Sequence, residues 1–226
     1  MANGLRHVLP FTAFLTALLA TGACDASDPA PRITPSTQRP ASSAPASPPE
    51  SPRETPSVVG PAPADLRDMD WSEVPVPGEF CGVPGLVRVD ATGDALATSR
   101  TWGTVRVSRT QNIVYGDSDG DRRDEAAVFV GCDDNGLTQN ADIAVAYVVY
   151  GHAGKDLAVI GSITPRQKSA AYHAGLVGVE FAPGRIVVSE KWFRPNDAHC
   201  CPSGDATTVW TREGDRLTPG APRVTS

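Results

Sequence analysis

Ile143-Ala144-Val145-Ala146-Tyr147-Val148-Val149-Tyr150 decides the fold class. The run is rich in β-branched and aromatic side chains and is closed by Gly151, which is the signature of a strand. Segments of the same character recur on both sides. They are Leu86-Val87-Arg88-Val89, Thr104-Val105-Arg106-Val107, Ile113-Val114-Tyr115, Ala126-Ala127-Val128-Phe129-Val130, Leu157-Ala158-Val159-Ile160, Leu176 to Phe181, Ile186-Val187-Val188 and Thr207-Thr208-Val209-Trp210. Gly, Asp, Asn or Pro separates each from the next, and no long segment keeps a helical period. Short helix is expected over Pro63 to Trp71 and in parts of Pro165 to Ala174. Tight connections such as Glu213-Gly214-Asp215 favour hairpins. The expected fold is therefore mainly β, an antiparallel sheet closed as a sandwich or a barrel, with one or two short helices.

These segments fall within residues 66–226, enough chain for a single domain with its own core. What precedes them has a different composition. Residues 1–23 divide as an export signal does, with Arg6 and His7 first, an apolar run from Val8 to Ala20, and small residues after it. The run is too short to span a bilayer as a helix. Leu19-Ala20-Thr21-Gly22-Ala23-Cys24 resembles the bacterial lipobox, with Thr21 where that motif usually has Leu. The resemblance implies diacylglycerol on the Cys24 thiol and a membrane anchor on the extracytoplasmic face of the cell. Residues 24–65 are then a spacer, since eleven of the chain's 21 Pro lie between Asp25 and Ala64 among Ser, Ala and Thr. Such a segment has too little apolar surface to fold. Wholly in polyproline II, it would reach about 120 Å.

With Cys24 assigned to lipid, the domain holds Cys81, Cys132, Cys200 and Cys201, an even number that in an exported chain argues for two disulfides. If Cys200 and Cys201 lie in extended backbone, their side chains point to opposite faces and each reaches a different partner, Cys81 or Cys132. The competing arrangement pairs Cys81 with Cys132 and leaves Cys200 and Cys201 as a vicinal bridge or dithiol, open to reduction and to a redox role. No C-x-x-C spacing accompanies it.

The stretch Tyr115-Gly116-Asp117-Ser118-Asp119-Gly120-Asp121-Arg122-Arg123-Asp124-Glu125 places carboxylates at positions 1, 3, 5 and 9 of a loop. Ca²⁺ takes six to eight oxygens, and alternate Asp residues on a tight loop can converge on one. The expected ligands are Asp117, Asp119, Asp121, the Arg123 carbonyl and Glu125. The stretch resembles the nine-residue calcium hairpins of the FG-GAP type, which have Gly where this chain has Arg122. The alternative is an Asp/Gly-rich turn whose acids are solvated. From Asp117 to Asp134 seven acids and two Arg leave a charge of −5, close to the −6 of the whole chain.

Catalytic signatures are sparse. His152, His173 and His199 form no metal-binding motif. Ser203 in Cys201-Pro202-Ser203-Gly204-Asp205 lacks the nucleophile-elbow context. Tyr150, Trp192, Phe193 and Trp210 read as sheet packing. An acidic domain without a basic stripe excludes nucleic acid as a partner.

The lipobox, the Pro/Ser/Thr spacer, Val114-Tyr115-Gly116-Asp117 running to Asp124-Glu125-Ala126, and Trp192-Phe193-Arg194-Pro195 followed by Cys200-Cys201-Pro202-Ser203-Gly204 resemble uncharacterised actinobacterial lipoproteins. The Cys-Cys-Pro-Ser ending is similar to that of the LppP/LprE-type mycobacterial lipoproteins. The resemblance implies an envelope location and a secreted domain type, and assigns no catalytic residue. The expected function is non-enzymatic binding or scaffolding of a cell-wall or envelope partner. The alternatives are a metal-dependent hydrolase on Asp117 to Glu125 and a thiol redox protein on Cys200 and Cys201.

Overall fold

The structure, a computed structural model, describes residues 57–136, 142–213 and 216–226. The signal segment, Cys24 and residues 24–56 of the expected spacer lie outside the described residues. The described chain is mainly β and antiparallel, in curled sheets. In chain order the strands are β1 (Ser57–Pro61), β2 (Val76–Pro77), β3 (Leu86–Val87), β4 (Asp94–Ser99), β5 (Gly103–Gly116), β6 (Glu125–Asp133), β7 (Asp142–Ala153), β8 (Asp156–Ile163), β9 (Gly175–Ala182), β10 (Arg185–Trp192), β11 (Gly204–Glu213), β12 (Arg216–Pro219) and β13 (Arg223–Val224). A six-stranded sheet runs β1-β8-β7-β6-β5-β4, and a second runs β12-β11-β10-β9 with β13 also on β11. The pair β2-β3 stands apart.

The apolar runs of β6 and β7 are nearly continuous because the large sheet is covered on both faces. Ala126, Val128, Val130, Ala146, Val148 and Tyr150 face one core, and Ala127, Val145 and Val149 face another. The second core is completed by Leu176, Ile186, Val188 and Trp210 of the smaller sheet, so the two sheets stack face to face. The first core is completed by Leu66, Val74, Val76, Cys81, Val83 and Val87, an irregular layer laid across the sheet. Fully burying a Val such as Val107, Val128 or Val148 contributes roughly 1.5–3 kcal/mol.

The covering layer corrects several expectations. Residues 57–61, assigned to the spacer, form β1 and pair with β8, because Val58 and Val59 supply the strand-forming pair the spacer otherwise lacks. The helix expected over Pro63 to Trp71 is replaced by two single 3₁₀ turns, Leu66–Asp68 and Trp71–Glu73. Asp65 and Asp70 cap them by accepting the N–H groups of Arg67 and Ser72. A third turn covers Glu79–Cys81. Pro165 to Ala174 contains no helix. The strands expected at 104–107 and 113–115 are one strand, β5, interrupted by an irregularity between Arg109 and Ile113.

The crossed disulfide pairing is overturned. Cys81 bridges to Cys132, tying the covering layer to β6, and Cys200 bridges to Cys201. The alternation argument fails because Cys200 and Cys201 sit in a turn, where Cys201 N donates to the Ala198 carbonyl at 2.9 Å. Among the described residues no helix is long and apolar enough to cross a membrane.

Candidate functional site

The acidic loop joins β5 to β6 beyond the Gly116–Glu125 pair. Its carboxylates first satisfy their own backbone. Asp117 accepts the N–H groups of Gly120 at 2.6 Å and Arg122 at 2.9 Å. Asp119 accepts that of Asp121 at 3.1 Å, and Asp121 that of Arg123 at 2.7 Å. Short polar side chains closing turns on themselves explain why Asp alternates here. Arg122 adopts φ +69°, the left-handed conformation that Gly would take more easily, and its bond to Asp117 holds it there.

Asp117, Asp119 and Glu125 bring one carboxylate oxygen each within 4.8 Å of one another, with no His in the group. The Asp121 carboxylate is not part of it. Glu125 is buried, at 3 % exposure, against Ser118, whose N–H donates to its Oε2 at 2.7 Å and whose hydroxyl bonds the same oxygen. The cation at the convergence point belongs to the protein. Arg212 reaches across from β11, and its Nη1 lies 2.6 Å from Asp119 Oδ2 and 3.0 Å from Glu125 Oε1. On the opposite side Asp124 accepts from Arg67 of the covering layer, whose guanidinium stacks 4.9 Å from the Tyr115 ring centroid. The loop is thus pinned from both layers.

This arrangement does not fit a resident Ca²⁺ as it stands, because the guanidinium already bridges Asp119 and Glu125 and the Asp117 oxygens already accept backbone N–H groups. Burial pushes the Glu125 carboxyl above its ordinary range, against the Ser118 bonds and Arg212. Burial also pushes Asp117 up, but the N–H groups of Gly120, Arg122 and Asp119 outweigh it and hold that carboxyl below the ordinary range. His152 lies on the other face of the sheet by strand alternation, its imidazole 2.9 Å from the Pro63 carbonyl.

The chain matches no family model, no curated protein and no solved structure.

A second region has the form of a ligand site. A cavity of about 380 Å³ opens between the Asp70–Ser72 turn, the Ala91–Gly93 turn and the interrupted part of β5. Trp71 and Tyr115 line it, joined by a bond from the indole N–H to the phenol oxygen at 2.9 Å. Asp70, Thr92, Arg109 and Gln111 add polar groups. Arg109 Nη1 donates to the Trp71 and Val74 carbonyls, and burial lowers its pKa. Sequence reading missed this site because its residues come from two separate turns and a strand; the polar Arg109-Thr110-Gln111-Asn112 between two apolar halves of β5 was the available signal.

The third region is the loop between β10 and β11. Asp197 accepts the N–H groups of Arg194 at 2.7 Å and Ser203 at 2.9 Å, closing the loop that carries the exposed Cys200 and Cys201. Tyr172 stands edge-on to Phe193 at 5.0 Å and to His199 at 4.4 Å between ring centroids. Ser203 serves the turn, as its N–H bond to Asp197 requires. Tyr150, Trp192 and Trp210 are buried, and Phe193 is half-buried.

Proposed function

We propose that this chain is a lipid-anchored, extracytoplasmic protein whose β domain binds a saccharide-bearing component of the cell envelope without chemically changing it. The cavity at Trp71 and Tyr115 carries the reading. Aromatic rings offer surfaces for the C–H faces of a sugar, while Asp70, Thr92, Arg109 and Gln111 offer donors and acceptors for its hydroxyls. The lipobox at Cys24, the Pro-rich spacer and the two disulfides support the location, and the Cys-Cys-Pro-Ser resemblance agrees with it. A metal-dependent hydrolase on Asp117 to Glu125 draws little support from carboxylates that Arg212 already bridges.

The test is a titration of the full chain with soluble peptidoglycan fragments, followed by tryptophan fluorescence and calorimetry. Saturable binding that is lost in Trp71→Ala and kept in Trp102→Ala supports the reading. Binding unaffected by Trp71→Ala, no binding, or turnover of the fragments overturns it.

A further inference from the structure

The two disulfides occupy opposite environments. Cys81 and Cys132 are 2 % and 1 % exposed and close 51 residues of chain within the core, so their bridge is structural. Cys200 and Cys201 are exposed, and their bridge closes no loop beyond the peptide bond between them. The segment around them is held by other means: the Asp197 carboxylate on Arg194 and Ser203, the Cys201 N–H on Ala198, and the Phe193 N–H on Ser169 Oγ at 3.0 Å. A bond that constrains almost no chain entropy contributes little to stability. Adjacent Cα atoms, 3.7 Å apart, also lie below the usual span of a disulfide, about 4.4–6.8 Å, which favours opening. Exposure leaves both sulfurs open to a thiolate, whose access helps set the rate of exchange.

We propose that Cys200 and Cys201 form a reversible thiol–disulfide exchange centre that takes two electrons from an exported dithiol protein. A thiolate of the partner attacks one of the two sulfurs. A mixed disulfide forms, the Cys200–Cys201 bond breaks, and the other cysteine leaves as a thiolate that takes up a proton. The partner's second thiolate then attacks its own sulfur in the mixed disulfide and releases the remaining cysteine, which is protonated in turn. The partner ends as a disulfide, and this chain has gained two electrons and two protons. Cys81–Cys132 takes no part.

Dithiothreitol is the probe. The full chain is equilibrated without denaturant at graded ratios of reduced to oxidised dithiothreitol, alkylated, and peptide-mapped. Cys200 and Cys201 are expected to be labelled together at a ratio at least about tenfold lower than Cys81 and Cys132, and to re-pair with each other on return to oxidised reagent. The Cys201→Ser variant, treated with oxidised glutathione, is expected to carry one glutathione as a mixed disulfide on Cys200, with the other glutathione released as the thiol. Opening of both bridges at one ratio, prior opening of Cys81–Cys132, bridges from Cys200 or Cys201 to Cys81 or Cys132, or no adduct in Cys201→Ser overturns the proposal.

Discussion

Arg212 of the smaller sheet donates to Glu125 of the larger one at 3.0 Å, so the sole carboxylate buried beneath the acidic loop is neutralised from the opposite layer. The pair explains how a loop with such concentrated charge folds without bringing an unbalanced acid into the core. Removing one partner of a buried pair leaves the other desolvated and unpaired. Arg212→Ala is expected to lower stability by about 3–5 kcal/mol, read by urea unfolding. A loss under about 1 kcal/mol would show that Glu125 does not depend on the arginine.

Calcium gives the same relationship a second test. With Arg212 bridging Asp119 and Glu125, millimolar Ca²⁺ is expected to leave the melting temperature of the natural chain unchanged. In Arg212→Ala, Asp119 and Glu125 are freed from it beside Asp117, and Ca²⁺ is expected to raise the melting temperature in a concentration-dependent way, as ligands that bind only the folded state do. A calcium response in the natural chain would place the metal, and not the guanidinium, at the loop.

The acidic loop also sets two opposite pH dependences. Asp117 is held below its ordinary range by backbone N–H groups, so its contribution is present above the unfolded carboxylate range and is lost as pH falls through its lower folded value. Glu125 is pushed up by burial, so the folded state binds its proton more tightly. Its contribution is present below the unfolded range and is lost as pH rises through its higher folded value. In unfolding measured against pH, Asp117→Asn is expected to flatten the acid-side decline. Glu125→Gln is expected to remove the fall above the ordinary carboxylate range.

The disulfides differ in their expected contributions. Closing 51 residues corresponds to about 4 kcal/mol of loop entropy, whereas a vicinal bridge closes almost none. Replacing Cys81 and Cys132 together by Ala is expected to lower stability by about 4 kcal/mol, and replacing Cys200 and Cys201 by Ser by roughly 1 kcal/mol or less. Similar losses in denaturant titrations would contradict this division.

The strands were legible where apolar runs and turn residues coincide, as in β6, β7, β10 and β11. The second cover on the large sheet was not, because Leu66, Val74, Val76 and Val83 are scattered among Pro, Asp and Gly without a period, and only the sheet they rest on gives them a common face. The acidic residues were legible as a loop, but their counter-ion was not. Arg212 lies 87 positions from Glu125, on a strand whose exposed alternation would suit a solvated side chain equally well. Cys200 and Cys201 were misread for a local reason: the pairing argument assumed extended backbone, and Asn196 at φ +80° with the Asp197 bonds makes the segment a turn.

Gly116 connects the sheet contact to the loop. It is the last residue of β5 and packs against Phe181 of β9, so closely that a methyl group on it would overlap the Phe181 Cβ. A Cβ is fixed to its backbone and cannot swing away, so the strands themselves would have to separate. Gly116→Ala is therefore expected to lower stability by about 1–3 kcal/mol through overpacking, although alanine by itself favours folding through the unfolded state. Separation at Gly116 would also draw the loop away from β11 and stretch Arg212 from Asp119 and Glu125. The two sites are then coupled, and Gly116→Ala combined with Arg212→Ala is expected to lose less stability than the sum of the single losses. Strict additivity in that double-mutant cycle would mean that the sheets open at Gly116 without moving the loop.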